Sequence, residues 1–321
     1  MKEKEKGITR RRFLDRSLAV AATGLVPVKS FAQTENRQEK PSTRITLLGT
    51  AGGPRTNKKA SQASLVIQVN NVPYVVDCGA GVSRQLVLSG VSLRSIRSIF
   101  ITHNHSDHNL EYGSLMYNSW VSGFEGRIDT FGPPPLQKMT ELFLEMNKYD
   151  IDIRIVDEGR PNLVPMIHVH ELNKGGAVMG DENIKVAAAI VNHPPVVPSL
   201  AYRFDTPGRS IVFSGDTTPA DTLIELSKGA DTLIHEVIHK QSLARRLARV
   251  PNADRLVEHI VASHTTVEDV GKVAKACGVR KLVLTHFVPS DDPALTDEMW
   301  KGPVAKEYGG EIIVGKDLLE V

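Results

Sequence analysis

Three histidines and an aspartate lie close together in the stretch ITHNHSDHNLEYG, residues 101–113. His103 and His105 are two positions apart, so their side chains point the same way in an extended segment. Asp107 and His108 are adjacent, so we expect them to turn towards a second point as the chain enters a helix. Imidazole and carboxylate groups are ligands that zinc prefers. The stretch predicts either half of a metal site or a polar loop rich in histidine.

Further residues of these types follow apolar runs elsewhere in the chain. His193 follows AAAIVN, Asp216 follows IVFSG and His286 follows LVLT. Strand ends at one edge of a sheet converge, and the loops there carry chemistry. Two metal ions about 3.5–4 Å apart can hold one hydroxide and polarise a substrate oxygen. We therefore expect these residues to complete a two-metal site, with the Asp216 carboxylate as the bridge.

The elements that must position these residues are many short strands and fewer helices. Strand patterns include RITLLGT, SLVIQV, KVAAAIVNH and KLVLTHF, and PLQKMTELFLEMNK has helical spacing. A capping box at Thr265–Glu268 predicts a helix start, and Gly278 its end. Several strands follow one another without helices in both halves of the chain. This order favours an α/β fold of two mixed sheets packed face to face with helices outside.

Residues 1–32 differ from the rest of the chain. They run from a basic patch, Arg10–Arg12, through an uncharged stretch, Ser17–Val28, to a small-x-small pattern, Ser30–Ala32. The stretch is too short to span a bilayer. It resembles a twin-arginine signal, which implies export to the periplasm by the twin-arginine machinery and no stable membrane anchor after processing. An ordinary secretory signal or a basic tail is the alternative, and residues 33–42 read as a polar linker.

Charge and cysteine content narrow the classes of function. Residues 1–32 hold eight of the 39 Lys and Arg and three of the 37 Asp and Glu, which leaves a net charge of −3 for the remainder. That remainder lacks the overall basic character expected of a nucleic-acid binder. Cys78 and Cys277 form no CxxC pair, so we expect no cysteine zinc site and two buried small side chains.

The His-x-His-x-Asp-His cluster resembles the metallo-β-lactamase superfamily. Other stretches resemble its branch of ribonuclease Z, related phosphodiesterases and arylsulfatases: LLGTAGGP, VDCGAG, SGDTTP, LIHE, SHTT and LTHF. The resemblance runs from about Arg44 to Val321, and we place the domain at residues 43–321. It implies an αββα four-layer sandwich of two mixed β-sheets with outer helices, in agreement with the strand order.

The resemblance also implies a role for each site residue. One zinc would be held by His103, His105 and His193, and the other by Asp107, His108 and His286, with Asp216 as the bridge. Two further residues gain catalytic roles: His264 in SHTT would help to protonate the leaving oxygen, and Glu236 in LIHE would orient it. An imidazole held by a carboxylate can supply such a proton. The expected cofactor is two zinc ions per chain, with other divalent metals possible.

The long arm with which ribonuclease Z grips tRNA has no counterpart here, because only a short turn follows Tyr202-Arg203. We therefore expect an exported dinuclear zinc hydrolase whose metal-bound hydroxide attacks a small-molecule ester, either a phosphodiester or an aryl sulfate. Dehalogenation of chlorinated aromatics and lactone hydrolysis are alternatives on the same site, and a non-catalytic periplasmic metal-binding protein is the alternative of another class. The expected partners are a small molecule and no nucleic acid, with a homodimer possible.

Overall fold

A computed structural model describes residues 42–321. The predicted signal and nearly all of the predicted linker lie outside the described residues, so export stays a prediction. In residues 42–321 no helix has the length and apolar character needed to cross a bilayer.

Two mixed sheets form the centre of the fold. The first has six strands in sequence order: β1 (Thr43–Gly49), β2 (Ser64–Val69), β3 (Val72–Val76), β4 (Ser98–Phe100), β5 (Ile128–Gly132) and β6 (Ile167–Glu171). The second has seven: β7 (Gly176–Gly180), β8 (Lys185–His193), β9 (Val196–Asp205), β10 (Ser210–Phe213), β11 (Thr232–Ile238), β12 (Lys281–Val288) and β13 (Glu311–Val314). In each sheet, antiparallel strands at one edge give way to parallel strands.

Ten α-helices lie in the described residues. They are α1 (Val82–Leu88), α2 (Ser106–Asn109), α3 (Tyr112–Val121), α4 (Leu136–Met146), α5 (Lys148–Asp157), α6 (Asp221–Ser227), α7 (Lys240–Leu247), α8 (Ala253–Ser263), α9 (Val267–Cys277) and α10 (Asp297–Ala305). Helix α9 begins where the capping box predicts, although the side-chain contact joins Thr266 to Asp269. It ends at Gly278, which has a φ of 68°, a conformation that glycine adopts without strain.

Three apolar layers hold the sheets and helices together. Side chains from both sheets, such as Ile67, Phe100 and Phe204, form the central layer. Helices α1 and α3 cover the outer face of the first sheet, and α6, α9 and α10 cover that of the second. This arrangement confirms the predicted αββα sandwich.

The buried side chains include a large aromatic residue and both cysteines. Trp120 is fully buried, in a cluster with Ile151 and Leu163, so it belongs to the core. Cys78 and Cys277 are buried free cysteines.

Candidate metal centre

Four places in the chain meet at one edge of the two sheets. The loop after β4 lies there together with the ends of β8 and β12. Asp216, three residues after the end of β10, lies there as well. The structure brings together all seven predicted ligands, as two neighbouring groups of nitrogen and oxygen atoms: His103, His105, His193 and Asp216 in one, and Asp107, His108 and His286 in the other. The sheets therefore position the side chains as the strand-end pattern predicts.

The first group holds three imidazole nitrogens at short distances. His105 Nδ1 lies 3.1 Å from His103 Nε2 and 3.1 Å from His193 Nε2. Two nitrogens bound to one tetrahedral zinc at about 2.0–2.1 Å are separated by about 3.3 Å. The observed spacing fits ligands around a common centre.

The second group combines two imidazoles with a carboxylate. His108 Nε2 lies 3.1 Å from His286 Nε2, and Asp107 Oδ2 lies 3.3 Å from the same His286 nitrogen. Asp107 and His108 sit in the short helix α2, which turns both away from the extended segment of His103 and His105.

Asp216 lies between the two groups. Its Oδ2 is 3.2 Å from His286 Nε2 and 3.4 Å from His108 Nε2, and 3.8 Å from His103 Nε2. Burial opposes its ionisation, but the imidazoles of His286 and His108 hold the pKa of Asp216 well below its usual range. A single carboxylate oxygen thus faces both groups, as a bridging ligand requires.

An uncommon backbone conformation directs the His286 side chain into the site. His286 has a φ of 48°, which is uncommon for a residue other than glycine. The pairing of β12 with β11 shifts register here, because Glu236 pairs with Thr285 and Val237 with Phe287. A shift of this kind re-aims one side chain. Gly52 leaves room for the ring, since a Cβ at this position would lie 2.6 Å from His286 Nδ1.

Further groups orient the ligands. One of them, the fully buried Asp77, was not predicted from the sequence. The Nδ1–H of His108 donates to Asp77 Oδ2 at 2.7 Å, and the backbone N–H of Thr102 donates to Asp77 Oδ1 at 2.8 Å. Asp77 follows β3 directly, so the strand-end pattern that predicts the ligands could also have found it. A carboxylate behind a ligating histidine fixes its tautomer and leaves Nε2 for the metal.

Two backbone groups orient other ligands. The Nδ1–H of His193 donates to the carbonyl oxygen of Ser263 at 2.8 Å, and the N–H of Gly53 donates to Asp107 Oδ2 at 2.8 Å. Burial lowers the pKa of His193 to about 4 against the opposing effect of Asp216. His193 is therefore neutral at physiological pH, which is the form that binds metal.

His264 and Glu236 form a pair beside the two groups. His264 Nδ1 lies 2.9 Å from Glu236 Oε1, and the backbone N–H of Thr217 donates to the same oxygen at 2.8 Å. Burial would lower the pKa of His264, but the Glu236 and Asp216 carboxylates raise it to about 9. The His264 ring lies 4.8 Å from that of His193 and 5.7 Å from that of His286, measured between centroids.

The buried carboxylates of the site exceed the positive charge that neighbouring side chains can supply. Four buried carboxylates, Asp77, Asp107, Asp216 and Glu236, form ion pairs only with histidines among the described residues, and none with Lys or Arg. Buried carboxylates without such partners are costly. Imidazole and carboxylate donors at these spacings fit metal ions such as zinc.

Comparisons with known proteins agree with this geometry. Residues 73–287 match the beta-lactamase superfamily domain. Ribonuclease Z of Mycobacterium bovis is 34% identical over 280 residues, which cover 86% of this chain and 97% of that protein. The crystal structure of human tRNase Z, short form, has a TM-score of 0.64 at 22% identity and covers 87% of this chain and 98% of its own. The metallo-beta-lactamase fold protein YhfI of Bacillus subtilis has a TM-score of 0.63 at 18% identity, with coverage of 88% and 99%.

The fold, the clustered histidines and aspartates and these relatives define a metal-dependent hydrolase. The chain belongs to the beta-lactamase superfamily, with the metallo-β-lactamase fold and ribonuclease Z homologues. A non-catalytic metal-binding protein is therefore excluded as a description of it.

Two sequence-based predictions are wrong. A small-molecule ester as the substrate, and the absence of a nucleic-acid partner, are both contradicted by relatives named ribonuclease Z that match along nearly their whole length. The names of these relatives do not test the predicted export. The missing arm misled the prediction, because a relative named ribonuclease Z aligns with this chain over 97% of its own length all the same. Net charge misled it as well, since a net charge of −3 does not describe the local field near the site.

Proposed function

We propose that the chain is a metal-dependent ribonuclease that hydrolyses phosphodiester bonds in RNA, with a tRNA-type transcript as its substrate. The observation that carries the proposal is the position of Asp216 Oδ2 between two groups of ligand atoms, beside the His264–Glu236 pair. The relatives named ribonuclease Z support RNA as the substrate class.

The proposed cofactor is two zinc ions. His103, His105 and His193 would hold one ion, Asp107, His108 and His286 the other, and Asp216 would contact both. When bound, divalent ions at such a site supply a nucleophile from water at neutral pH and neutralise charge on phosphate oxygens.

The protein's own side chains then handle the leaving group. Glu236 accepts the Nδ1–H of His264, which leaves Nε2 to carry a proton towards the departing ribose oxygen. A positioned proton donor of this kind contributes about 10²–10⁴-fold to a rate. Thr217 holds Glu236 in place through its backbone N–H.

Local charge near the site also favours RNA. The segment of α7 and α8, residues 240–263, contains five basic and two acidic residues: Lys240, Arg245, Arg246, Arg249 and Arg255 against Asp254 and Glu258. It ends at Ser263, next to His264. Arg245 and Arg246 pair with Asp292 and Asp291, and the other basic residues of the segment remain to attract a polyanionic strand, even though residues 33–321 together carry a net charge of −3.

The test uses zinc-loaded protein of measured metal content with a tRNA precursor that carries a 3′ extension. An unstructured RNA and a DNA strand of the same sequence serve as comparisons, and the product ends are mapped. We expect hydrolysis of the RNA precursor by the unsubstituted protein and none by the Asp216→Ala variant. A protein with two bound metals that cleaves no RNA would contradict the proposal.

A further inference from the structure

An apolar cleft adjoins the metal centre. It has a volume of about 390 Å³ and lies between the α7–α8 segment and two loops, residues 52–57 and 288–291. Its walls are mainly aliphatic: Leu243, Leu247, Leu256, Ile260, Val288 and Pro289. None of the metal ligands lines it, so it is a separate surface from the centre described above.

The cleft and the metal centre share a floor. Gly52 and Gly53 line the cleft, and the N–H of Gly53 donates to Asp107 Oδ2 at 2.8 Å. Gly52 packs against the His286 ring, and Val288 is two residues beyond that ligand. A group bound in the cleft would therefore lie beside the metal centre, separated from its ligands by Gly52 and Gly53.

The rim of the cleft carries positive charge. Arg55 and Arg246 both line it and are exposed. Arg246 contacts Asp291 at 2.8 Å, whereas Arg55 forms no ion pair with any other residue in the range 42–321. Asp291 also lines the cleft, so Arg55 is the arginine available to a phosphate. An apolar interior with one such arginine at its rim matches a flat base attached to a phosphate.

We infer that this cleft binds the base of the nucleotide next to the scissile phosphate, with Arg55 at that nucleotide's own phosphate. The inference rests on the proposed function and adds a subsite for the substrate. The aliphatic walls contact any base, and two of the polar lining residues, Asn57 and Ser290, bond to each other. We therefore expect the subsite to favour a base over no base, with little preference among the four.

The direct test is a series of RNA oligonucleotides in which one nucleotide at a time, on either side of the cleavage point, is replaced by an abasic one. We expect kcat/KM to fall by about 10-fold at one position next to the cleaved bond and much less elsewhere, since apolar contacts to one base are worth roughly that factor. An equal response at every position would overturn the inference.

Protein variants tie that effect to the cleft. Ile260→Trp fills the interior, and we expect it to lower the ratio of kcat/KM for RNA to that for bis-p-nitrophenyl phosphate, a diester without a base, by about 10-fold. The matched control is His259→Trp, which places the same side chain on the exposed side of α8. The Ile260→Trp variant should also cease to distinguish the abasic RNA from the intact one. If the two losses add instead, the base does not lie in the cleft.

A variant at the rim of the cleft tests the inference even if the Ile260→Trp protein does not fold. Arg55→Gln removes an exposed charge, and we expect KM for RNA to rise about 3-fold with little change in kcat. Arg97→Gln, at an exposed position before β4, is the control. An unchanged KM for Arg55→Gln, together with no abasic effect, would overturn the inference while RNA cleavage itself stands. Failure of the unsubstituted metal-loaded protein to cleave any RNA would overturn both this inference and the proposed function.

Discussion

The metal centre and the cleft share Gly52 and Gly53, yet their side chains are held very differently. In the centre, His103 and His108 are inaccessible to solvent, and their second ring nitrogens contact Thr102 and Asp77. At the cleft, Arg55 and Arg246 are exposed. Bond cleavage requires ligand atoms placed to a fraction of an ångström, whereas a passing RNA strand can be held by mobile charges. Variants of the predicted metal ligands should therefore act on every substrate, and variants in the cleft on RNA alone.

The largest effect is expected for Asp216→Ala. The substitution removes the one oxygen that faces both ligand groups, so kcat should fall at least about 10³-fold on RNA and on bis-p-nitrophenyl phosphate alike. Metal content and circular dichroism distinguish loss of the bridge from loss of the fold. Asp221→Ala, at an exposed position in α6, is the control. Substantial activity in the Asp216 variant would break the account of the centre.

His264→Ala should lower kcat by about 10²–10³-fold on RNA, because the proposed proton donor to the ribose oxygen is lost. The loss should be much smaller on bis-p-nitrophenyl phosphate, whose p-nitrophenolate group leaves without a proton. Its metal content should remain that of the unsubstituted protein. His264 also lies in a third group of donor atoms with Asp216 and His286, so metal analysis sharpens the assignment. A variant that binds one ion fewer would show that His264 is a ligand instead of a proton donor.

Gly52→Ala tests the floor that the centre and the cleft share. The added Cβ would overlap the His286 ring, and a ligand displaced by about 1 Å costs on the order of 10²-fold in rate. Kinetics on both substrates should show equal losses. Gly309→Ala, where a Cβ would meet nothing within 4 Å, provides the comparison. A loss confined to RNA would place the effect of Gly52 in the cleft.

Asp77→Asn should have the smallest effect of this series. The amide keeps the shape but weakens the contact to His108 Nδ1, and loss of such a partner lowers metal affinity by about 10–100-fold. Titration with zinc in competition with a chelator measures the change. Asp129→Asn is a matched control, since Asp129 pairs with His170 at 2.7 Å outside the site. Equal affinity in both variants would contradict an orienting role for Asp77.

The fold and the ligand positions could largely be predicted from the sequence, because strand ends in a mixed sheet leave a regular pattern of apolar runs followed by histidine or aspartate. The edge strands β6 and β7 escaped the prediction. In β6, IHVHE, only two apolar residues alternate with polar ones, and β7, GAVMG, has no alternation and a glycine at each end. The helices α7 and α8 were missed as well: α7 has only Leu243 and Leu247 as large apolar residues, within a basic run.

The substrate class was harder to predict than the site. Net charge averages over the whole surface, whereas an RNA strand responds to the charges within about 10 Å of it. The basic segment of α7 and α8 directly precedes His264 in the sequence, but its position against residues 52–57 exists only in the folded chain. Similarly, the left-handed backbone of His286 depends on its pairing with β11 and on Gly52, which lie far away in sequence.

Anomalous diffraction at the zinc edge, from crystals of the zinc-loaded protein, tests directly whether these side chains bind two metal ions. We predict two peaks, one about 2.0–2.2 Å from nitrogens of His103, His105 and His193 and one at a similar distance from Asp107, His108 and His286, with Asp216 in contact with both. A single peak, or peaks away from these side chains, would contradict the account.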